Sequence, residues 1–267
     1  MNQTWNRNRE DPRRIGGPDF PAETQSLRGN GGGHCGVRIA LTVLVLASGA
    51  AAQNGFPWQN ESLHYNINWQ SGLSLGEAGM SAHKSEKGWE FETTINAGVP
   101  GFAIADRIHS LTTAGLCSEE LDRDFSHAGK KTREKTTFDE KAGSAERITL
   151  VPDGGAMPGK STFSIPSCAR DALAFLYYAR MELGQGRVTP PQQVWFGSGY
   201  SVKTDYTGSQ TITVANKATV TDHVVVAVRG PKSDFTFEVF YSRDAARTPI
   251  QIRIPLALGT FTAELVR

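Results

Sequence analysis

A serine lies between two glycines in Gly72–Gly76, and these five residues fit the pattern G-x-S-x-G. In hydrolases that carry this pattern, the serine is a nucleophile on a sharp turn between a strand and a helix. Here the motif joins two stretches whose alternating apolar and polar residues indicate strands. We therefore predict a hairpin, and we keep a secreted serine hydrolase using Ser74 as an alternative hypothesis.

The acid–base partners that such a serine would need are scattered along the chain. His109, His127 or His223 would act as the base and Asp222 as the orienting acid, since a nucleophilic serine needs a base within hydrogen-bond reach. No spacing selects one of them. The histidines also lack the spacing of metal ligands, so we expect surface or hydrogen-bonded positions and no metal site.

Two further patterns resemble binding loops. Residues Gly154–Ser161 fit the phosphate-loop pattern G-x4-G-K-S, but that chemistry needs a helix that begins at the Lys-Ser pair. The residues that follow alternate and reach Pro166, so we predict a loop and no nucleotide. Asp122, Asp124 and Ser126 begin like a calcium loop, which then lacks its glycine and its bidentate glutamate. The sequence therefore predicts no cofactor.

Large aromatic side chains lie on the face of the predicted strands that turns towards the core, with Phe91, Phe235 and Phe237 among them. Core packing is their ordinary role, and lining an apolar cavity is the functional alternative. The candidate binding residues are four of these aromatic side chains and two side chains of the predicted helix: Tyr65, Trp69, Trp89, Tyr177, Arg180 and Trp195.

These side chains need a frame, and one long helical pattern stands out among the predicted strands, at about residues 168–183. Ser167 is the expected N-cap, and the glycines after Leu183 end the helix. Because residues 172–179 are all apolar or aromatic, the helix must be covered on most sides. A curved sheet is the natural cover.

Short alternating stretches, separated by glycine, proline and polar turns, fill most of the remaining chain. Leu63–Gln70 and Trp89–Asn96 are early examples, and Thr260–Val266 is the last. Regularly spaced short strands are typical of an antiparallel barrel, half-barrel or sandwich. We predict a mainly β fold in which a curved antiparallel sheet wraps around one buried helix.

The N-terminal region carries an export signal. The apolar run Ile39–Ala47 follows Arg38 and ends in small residues, with Ala50 and Ala52 spaced as in a signal-peptidase site. We predict a cleaved secretory signal peptide that ends near Ala52. The protein would then be periplasmic or secreted.

The predicted domain organisation follows from this boundary. Residues 1–52 would be an N-terminal extension plus signal peptide, with translation starting at Met1 or Val37, and residues 53–267 would form a single β-rich domain. The chain has 28 Lys and Arg against 27 Asp and Glu. A nearly neutral chain has no strong attraction to nucleic acid, and we expect no nucleic-acid partner.

Two cysteines remain after such a cleavage, Cys117 and Cys168. They are an even number in an oxidising compartment, where disulfides form and persist. Two separate buried thiols are the alternative. We predict that the two cysteines form a disulfide.

Residues Asp171–Arg180 carry the pattern D-x-L-x-x-L-Y-Y-x-R, which resembles the signature of an uncharacterised bacterial family, domain of unknown function 3108. Ala174 departs from it, since a small hydroxyl residue is usual there. The patterns Y-x-I-x-W from Tyr65 and D-x-x-R-x-P from Asp244 are similar to the beginning and end of that family. The resemblance implies an exported, β-rich protein with an embedded helix and no established reaction.

The resemblance also indicates charged positions of interest, for which a structural role is the ordinary expectation. Asp171 would interact with the helix dipole, and Asp244 and Arg247 would fix a turn through ion pairs. Tyr177 and Arg180 belong to the same pattern. No catalytic residues follow from the resemblance.

These observations lead to a functional hypothesis. We predict a periplasmic, non-enzymatic binding or carrier module of the cell envelope, whose partner is an apolar small molecule, a lipid or another envelope protein. The serine hydrolase is one alternative. An integral outer-membrane β-barrel is a second alternative, because alternating strands permit it.

Overall fold

The structure is a computed structural model, and it describes residues 58–99, 101–150, 159–231, 233–256 and 259–266. The extension and signal peptide predicted over residues 1–52 lie outside the described residues. So do residues 151–158, which include the first part of the phosphate-loop pattern. The described chain is the β-rich region that begins at Trp58.

Eight strands make up the described chain before residue 165, and in several of them buried and exposed side chains alternate. In chain order they are β1 (Asn60–Trp69), β2 (Ser74–Lys84), β3 (Gly88–Val99), β4 (Phe102–Thr113), β5 (Ser118–His127), β6 (Lys130–Asp139), β7 (Ser144–Leu150) and β8 (Gly159–Ser164). Each pairs antiparallel with the next one. Between β5 and β6, Ala128 (φ 51°) and Gly129 (φ 81°) form the two-residue turn that suits a twisted hairpin.

The helix and seven further strands complete the fold. They are β9 (Arg170–Asp171), α1 (Ala172–Gly184), β10 (Gln192–Trp195), β11 (Gly199–Val214), β12 (Lys217–Arg229), β13 (Asp234–Tyr241), β14 (Pro249–Leu256) and β15 (Gly259–Leu265). All described strands form one sheet in the order β8-β7-β6-β5-β4-β3-β2-β1-β15-β14-β13-β12-β11-β10-β9. Strands β1 and β15 therefore pair in the middle of the sheet, with Tyr65 opposite Leu265.

The sheet is curved and unclosed, and α1 packs against its concave face. The predicted fold, a curved antiparallel sheet around one buried helix, is confirmed. Strands β9 and β10 run parallel, with Val194 opposite Arg170 and Trp195 opposite Asp171. In the part of the chain that the structure describes, no helix is long and apolar enough to cross a membrane.

The helix begins at Ala172 rather than at Cys168, and its N-cap is Asp171. The Asp171 Oδ1 accepts hydrogen bonds from the backbone N–H of Leu173 (2.8 Å) and Ala174 (3.0 Å). The prediction of Ser167 as N-cap was wrong. The residues before Asp171 are held out of the helix, because Cys168 has a φ of 54° and β9 pairs with β10.

The end of the helix follows the glycine pattern. Gly186 has a φ of 74°, and its N–H donates to the carbonyl oxygen of Leu183 at 3.0 Å. The N–H of Arg187 donates to the carbonyl oxygen of Glu182 at 2.9 Å. This pair of bonds around a left-handed glycine is the Schellman motif, and it brings Arg187 back over the last turn of α1.

Two strands differ from what their residues suggest. Residues Gly159–Ser164 form β8, although a loop was predicted over residues 154–161. Strand β11 continues past Gly208, a residue that often ends a strand, because of a register shift between Tyr206 and Gly208. A bulge absorbs an extra residue without ending the ladder.

The predicted disulfide is present and joins Cys117 to Cys168. It ties the β4–β5 turn to the segment that enters α1. Beside it, the backbone N–H of Ser118 donates to the carbonyl oxygen of Ala169 at 2.9 Å. We call β1–β8 the first half of the sheet and β9–β15 the second half. The start of the helix is therefore fixed to the first half of the sheet by a covalent bond and by a main-chain hydrogen bond.

Candidate functional site

A cavity of about 520 Å³ lies between α1 and the second half of the sheet. One face of the helix lines it, since the lining residues recur every three or four positions: Ala172, Phe175, Leu176, Ala179 and Leu183. At 1.5 Å per residue, the stretch from Ala172 to Leu183 is about 16 Å long. The cavity is therefore elongated along the helix.

The opposite side of the cavity is a surface that we call the valine wall: Val202, Val224, Val226, Val228 and Val239. These residues face one another across strands, Val202 opposite Val228 and Val224 opposite Val239. β-branched side chains favour strands but are short. Facing them, Ala172 and Ala179 contribute only methyl groups, so the side chains on the two sides leave a space between them.

Most of the residues that line the cavity are apolar. The exposed ones show where solvent reaches the cavity. Val188 and Phe235 are exposed, whereas Tyr241 is buried. Burial raises the pKa of the Tyr241 hydroxyl to about 12, so it stays neutral at ordinary pH. The hydroxyl groups of Thr189 and Thr204 lie 2.7 Å apart and share a hydrogen bond.

Arg187 is the charged member of the described lining. Its Nε and Nη2 donate to the two carboxylate oxygens of Glu182 at 2.7 and 2.8 Å. The hydrogen bond from Arg187 lowers the pKa of Glu182. More than half of the Arg187 side chain is exposed, whereas the Glu182 side chain is largely buried. The guanidinium group therefore lies at the rim of the cavity.

The six candidate binding residues from the sequence lie elsewhere, and none of them is among the described residues that line the cavity. Tyr65, Trp89 and Tyr177 belong to a packed cluster that we call the aromatic core: Trp58, Tyr65, Trp89, Phe91 and Tyr177. The rings of Phe91 and Tyr177 stack at 4.1 Å. These side chains fill the space on the other side of α1, and their role in binding stays a prediction.

The other two candidate tryptophans also pack against aromatic neighbours. Trp69 meets Phe261 edge to face at 4.8 Å, near the paired ends of β1 and β15. Trp195 stacks on Phe163 at 4.6 Å and is buried. The structure therefore does not bring the predicted set together on one surface.

Arg180 is completely buried and forms a two-pronged ion pair with Glu61. Its Nη1 and Nη2 donate to the two Glu61 oxygens at 2.6 Å each, and its Nε donates to the carbonyl oxygen of Arg247 at 3.1 Å. Burial lowers the pKa of Arg180, but Glu61 outweighs it and leaves that pKa above its ordinary value. The pair fixes the middle of α1 to β1.

Asp171, at the N-terminus of α1, is also completely buried. Its Oδ2 accepts hydrogen bonds from the hydroxyls of Ser110 and Ser118, both at 2.6 Å. Burial raises the pKa of Asp171, and these hydrogen bonds oppose the shift. The side chain that caps α1 thus also holds it against β4 and β5.

Asp244 and Arg247 shape the turn between β13 and β14. The Asp244 Oδ1 accepts from the N–H groups of Ala246 (3.0 Å) and Arg247 (3.1 Å). The Arg247 guanidinium pairs with Asp222, and its backbone carbonyl accepts from Arg180. The turn therefore has a structural role, in which Asp244 binds the backbone and Arg247 joins the turn to β12.

Residues 64–266 match the model of a family described as protein of unknown function (DUF3108). The chain belongs to this family. The resemblance carried by the helix pattern is thereby confirmed. No curated protein matches this chain. In this DUF3108 protein the polar residues of that pattern, Asp171, Tyr177 and Arg180, all hold α1 against the first half of the sheet.

Ser74 of this DUF3108 protein is exposed and begins β2, opposite Asn68 of β1. The motif thus joins two strands of a hairpin, as the pattern predicts. Among the described hydrogen bonds, none links Ser74 to a histidine. The three candidate bases have other partners: His109 bonds Glu90, His127 bonds Asp106 and His223 bonds Thr207.

The sequence pattern found part of the cavity and missed its main surfaces. Phe235 and Phe237, predicted on the inner face of a strand, do line it. The valine wall and the alanines of α1 were not singled out, because small apolar residues are ordinary core residues. Ala172 and Ala179 lie two helical turns apart, opposite β-branched strands. Small residues on one face of the helix and β-branched residues on the strands were the sequence signal that could have indicated a cavity.

Proposed function

We propose that this DUF3108 protein is a non-enzymatic binding or carrier module for an apolar ligand of the cell envelope. The observation that carries the proposal is the elongated cavity between α1 and the valine wall. Its volume of about 520 Å³ falls within the roughly 300–1,000 Å³ of small-molecule sites.

The size of the cavity supports a ligand because protein interiors are close-packed, with few voids larger than a water molecule. An unfilled space leaves the surrounding side chains without contacts on one side. An apolar ligand would restore those contacts and remove apolar surface from water.

The residue types that line the cavity support binding rather than a reaction. Among the described lining residues there is no histidine, cysteine, aspartate or glutamate. These side chains are the commonest general acids and bases. The hydroxyl of Tyr241, which also lines the cavity, stays neutral because burial raises its pKa to about 12. The hydroxyls of Thr189 and Thr204 are buried and bonded to each other, which suits orientation of a ligand.

Export is part of the proposal. The apolar run before Ala52 supports a signal peptide, and the disulfide between Cys117 and Cys168 fits an oxidising compartment. Fractionation of cells that express the full chain, followed by N-terminal sequencing, tests this part. A mature protein that begins near Gln53 outside the cytoplasm is expected, and an uncleaved cytoplasmic protein would reject it.

The binding proposal is tested by purifying the mature protein from a periplasm and comparing native mass spectra before and after solvent extraction. We expect a bound mass that the extraction removes. A matched pair of substitutions locates it, since Val226 lines the cavity whereas Val225 pairs with Asp205 and Glu238 on the other face of β12. Val226→Phe should lose the bound mass and Val225→Phe should keep it.

Two outcomes would count against the proposal. One is a mature protein that carries no extractable mass and binds no apolar fluorophore. The other is equal loss of the bound mass in both phenylalanine variants, which would place the ligand outside the cavity.

A further inference from the structure

The charge of the cavity wall is concentrated at one place. Arg187 is the only charged side chain among the described lining residues, and three further lining residues carry aliphatic hydroxyls: Thr189, Thr204 and Ser233. Arg187 follows Leu183, the last residue of α1 that lines the cavity, by four positions. An elongated apolar cavity with a cation at one end is complementary in shape and charge to an amphiphile with an anionic head group.

We infer that the ligand is an amphiphile with a single anionic head group, which Arg187 binds while the apolar tail lies along α1. This inference rests on the proposed function. It assigns a polar end to the site and a chemical class to the ligand, a long-chain carboxylate or a similar anion. It also assigns a direction, with the tail pointing towards Ala172.

The guanidinium group of Arg187 is held in place for this role. The Schellman motif returns its backbone to Glu182, and the Glu182 carboxylate binds Nε and Nη2 at 2.7 and 2.8 Å. Among the described hydrogen bonds, Nη1 has no partner. Nη2 also donates to the side-chain oxygen of Gln185, so the donors left over among the described hydrogen bonds are the two N–H bonds of Nη1. These suit a carboxylate or phosphate oxygen.

The local charge balance also favours an anion. Glu182 neutralises one positive charge, but two guanidinium groups act on it, and both Arg187 and Arg170 lower its pKa. Arg170 is fixed nearby, because it lies 3.8 Å from the ring centre of Tyr178 and donates to Gln192 at 3.3 Å. Two cations and one carboxylate leave a net positive charge beside the rim.

The test compares a fluorescent fatty acid, parinaric acid, with its uncharged methyl ester on the delipidated mature protein. The informative variant is Glu182→Gln/Arg187→Gln, which removes the pair without changing net charge. Because a charge-assisted hydrogen bond is lost, we expect the dissociation constant for the acid to rise about ten-fold. The ester should bind the variant and the wild type alike.

Two further variants separate head-group binding from general electrostatics. Lys203→Gln is the matched control, because Lys203 is about as exposed as Arg187 and lies on β11 between the inward-facing residues Val202 and Thr204. It should leave acid binding unchanged. Glu182→Gln alone should tighten acid binding, since it removes the negative charge that repels the anion while the glutamine oxygen can still accept from Arg187.

The outcomes distinguish the inference from the function beneath it. If the acid and the ester bind the wild type equally well, the protein binds apolar ligands and the assignment of an anionic head group is wrong. If the double variant still prefers the acid, Arg187 does not bind the head group. If neither probe binds the wild type, the proposed function fails and the inference fails with it.

Discussion

The two sides of α1 use different side chains for the same task. On one side the aromatic core fills the space to the sheet, with Phe91 stacked on Tyr177 at 4.1 Å. On the other side two alanines of α1, the valine wall and aromatic side chains such as Phe175 and Phe237 surround a cavity of about 520 Å³. Both sides are apolar and both contain aromatic side chains, so the two sides differ in how closely the side chains pack and not in polarity. An apolar interior is not by itself a packed one.

The two sides also differ in how firmly they hold the helix. The disulfide, the Asp171 hydrogen bonds and the Arg180–Glu61 pair all join α1 to the first half of the sheet. The valine wall meets α1 through apolar contacts, which are not directional. Arg180 also donates to the carbonyl oxygens of Ala246 and Arg247 in the β13–β14 turn. None of the described hydrogen bonds joins α1 to the five valines of the wall, so their contacts with a ligand can change without the loss of a polar contact to the helix.

The largest expected effect is the loss of the buried ion pair. Arg180→Met leaves Glu61 without its cation and should lower the free energy of unfolding by about 3–5 kcal/mol. Urea denaturation measures this. Glu61→Gln/Arg180→Met should recover part of the loss, because no charge is then left unpaired. A single-variant cost below about 1 kcal/mol would contradict the anchoring of α1 by this pair.

Removal of the disulfide should come next. Cys117→Ser/Cys168→Ser opens a loop that spans 51 positions, which corresponds to about 4 kcal/mol on the chain-entropy model. Urea denaturation with and without a reductant measures it. The reductant should destabilise the wild type to the level of the variant and leave the variant unchanged. Equal stability of the oxidised wild type and the variant would remove this anchor from the comparison.

Two alanines on the same helix compare the filled and unfilled sides directly. Ala174 is completely buried, and Ala174→Leu should destabilise by about 1–3 kcal/mol through overpacking. Ala179 lines the cavity, so Ala179→Leu should be tolerated in the delipidated protein and should weaken ligand binding. Thermal unfolding of both variants is the measurement. An equal loss of stability would mean that no usable space exists beside Ala179.

The smallest effect concerns the rim. Arg187 lowers the pKa of Glu182 below its ordinary value of 4.5, so their pair stabilises the fold above pH 4.5 and loses this contribution as pH falls through the lower pKa. Arg187→Gln should reduce the urea midpoint slightly at pH 7, since exposed pairs contribute little. The difference from the wild type should vanish in acid. A difference that persists at pH 2 would require another cause.

The sequence determines the class of the fold, because alternation and turn residues are local signals. It also located the end of α1, since Gly186 supplies the positive φ that the Schellman motif needs. The start of α1 was missed for a non-local reason. Ser167 has the chemistry of a cap, but the disulfide and the pairing of β9 with β10 keep residues before Asp171 extended.

The site was harder to predict than the fold. Tyr65 and Trp89 were selected as aromatic residues on the inner faces of predicted strands, and Tyr177 as part of the helix pattern, yet all three pack in the aromatic core. The cavity depends on which side chains face each other across the helix. Ala179 and Val226 line the same cavity because of the curvature of the sheet and the rotation of α1, and neither is a local property.

The pairing of β1 with β15 bears on the order in which the molecule folds. Tyr65 and Leu265 are 265 − 65 = 200 residues apart. Closing a loop of that length costs about 2.7 kcal/mol more than closing a hairpin of about ten residues. We expect the strands on each side of this seam to assemble first as separate meanders, and the seam to form late. In chain order α1 lies between β9 and β10, in the same meander as the valine wall. We therefore expect the cavity to form with that meander, and the contacts of α1 with Ser110 and Glu61 in the other meander to follow.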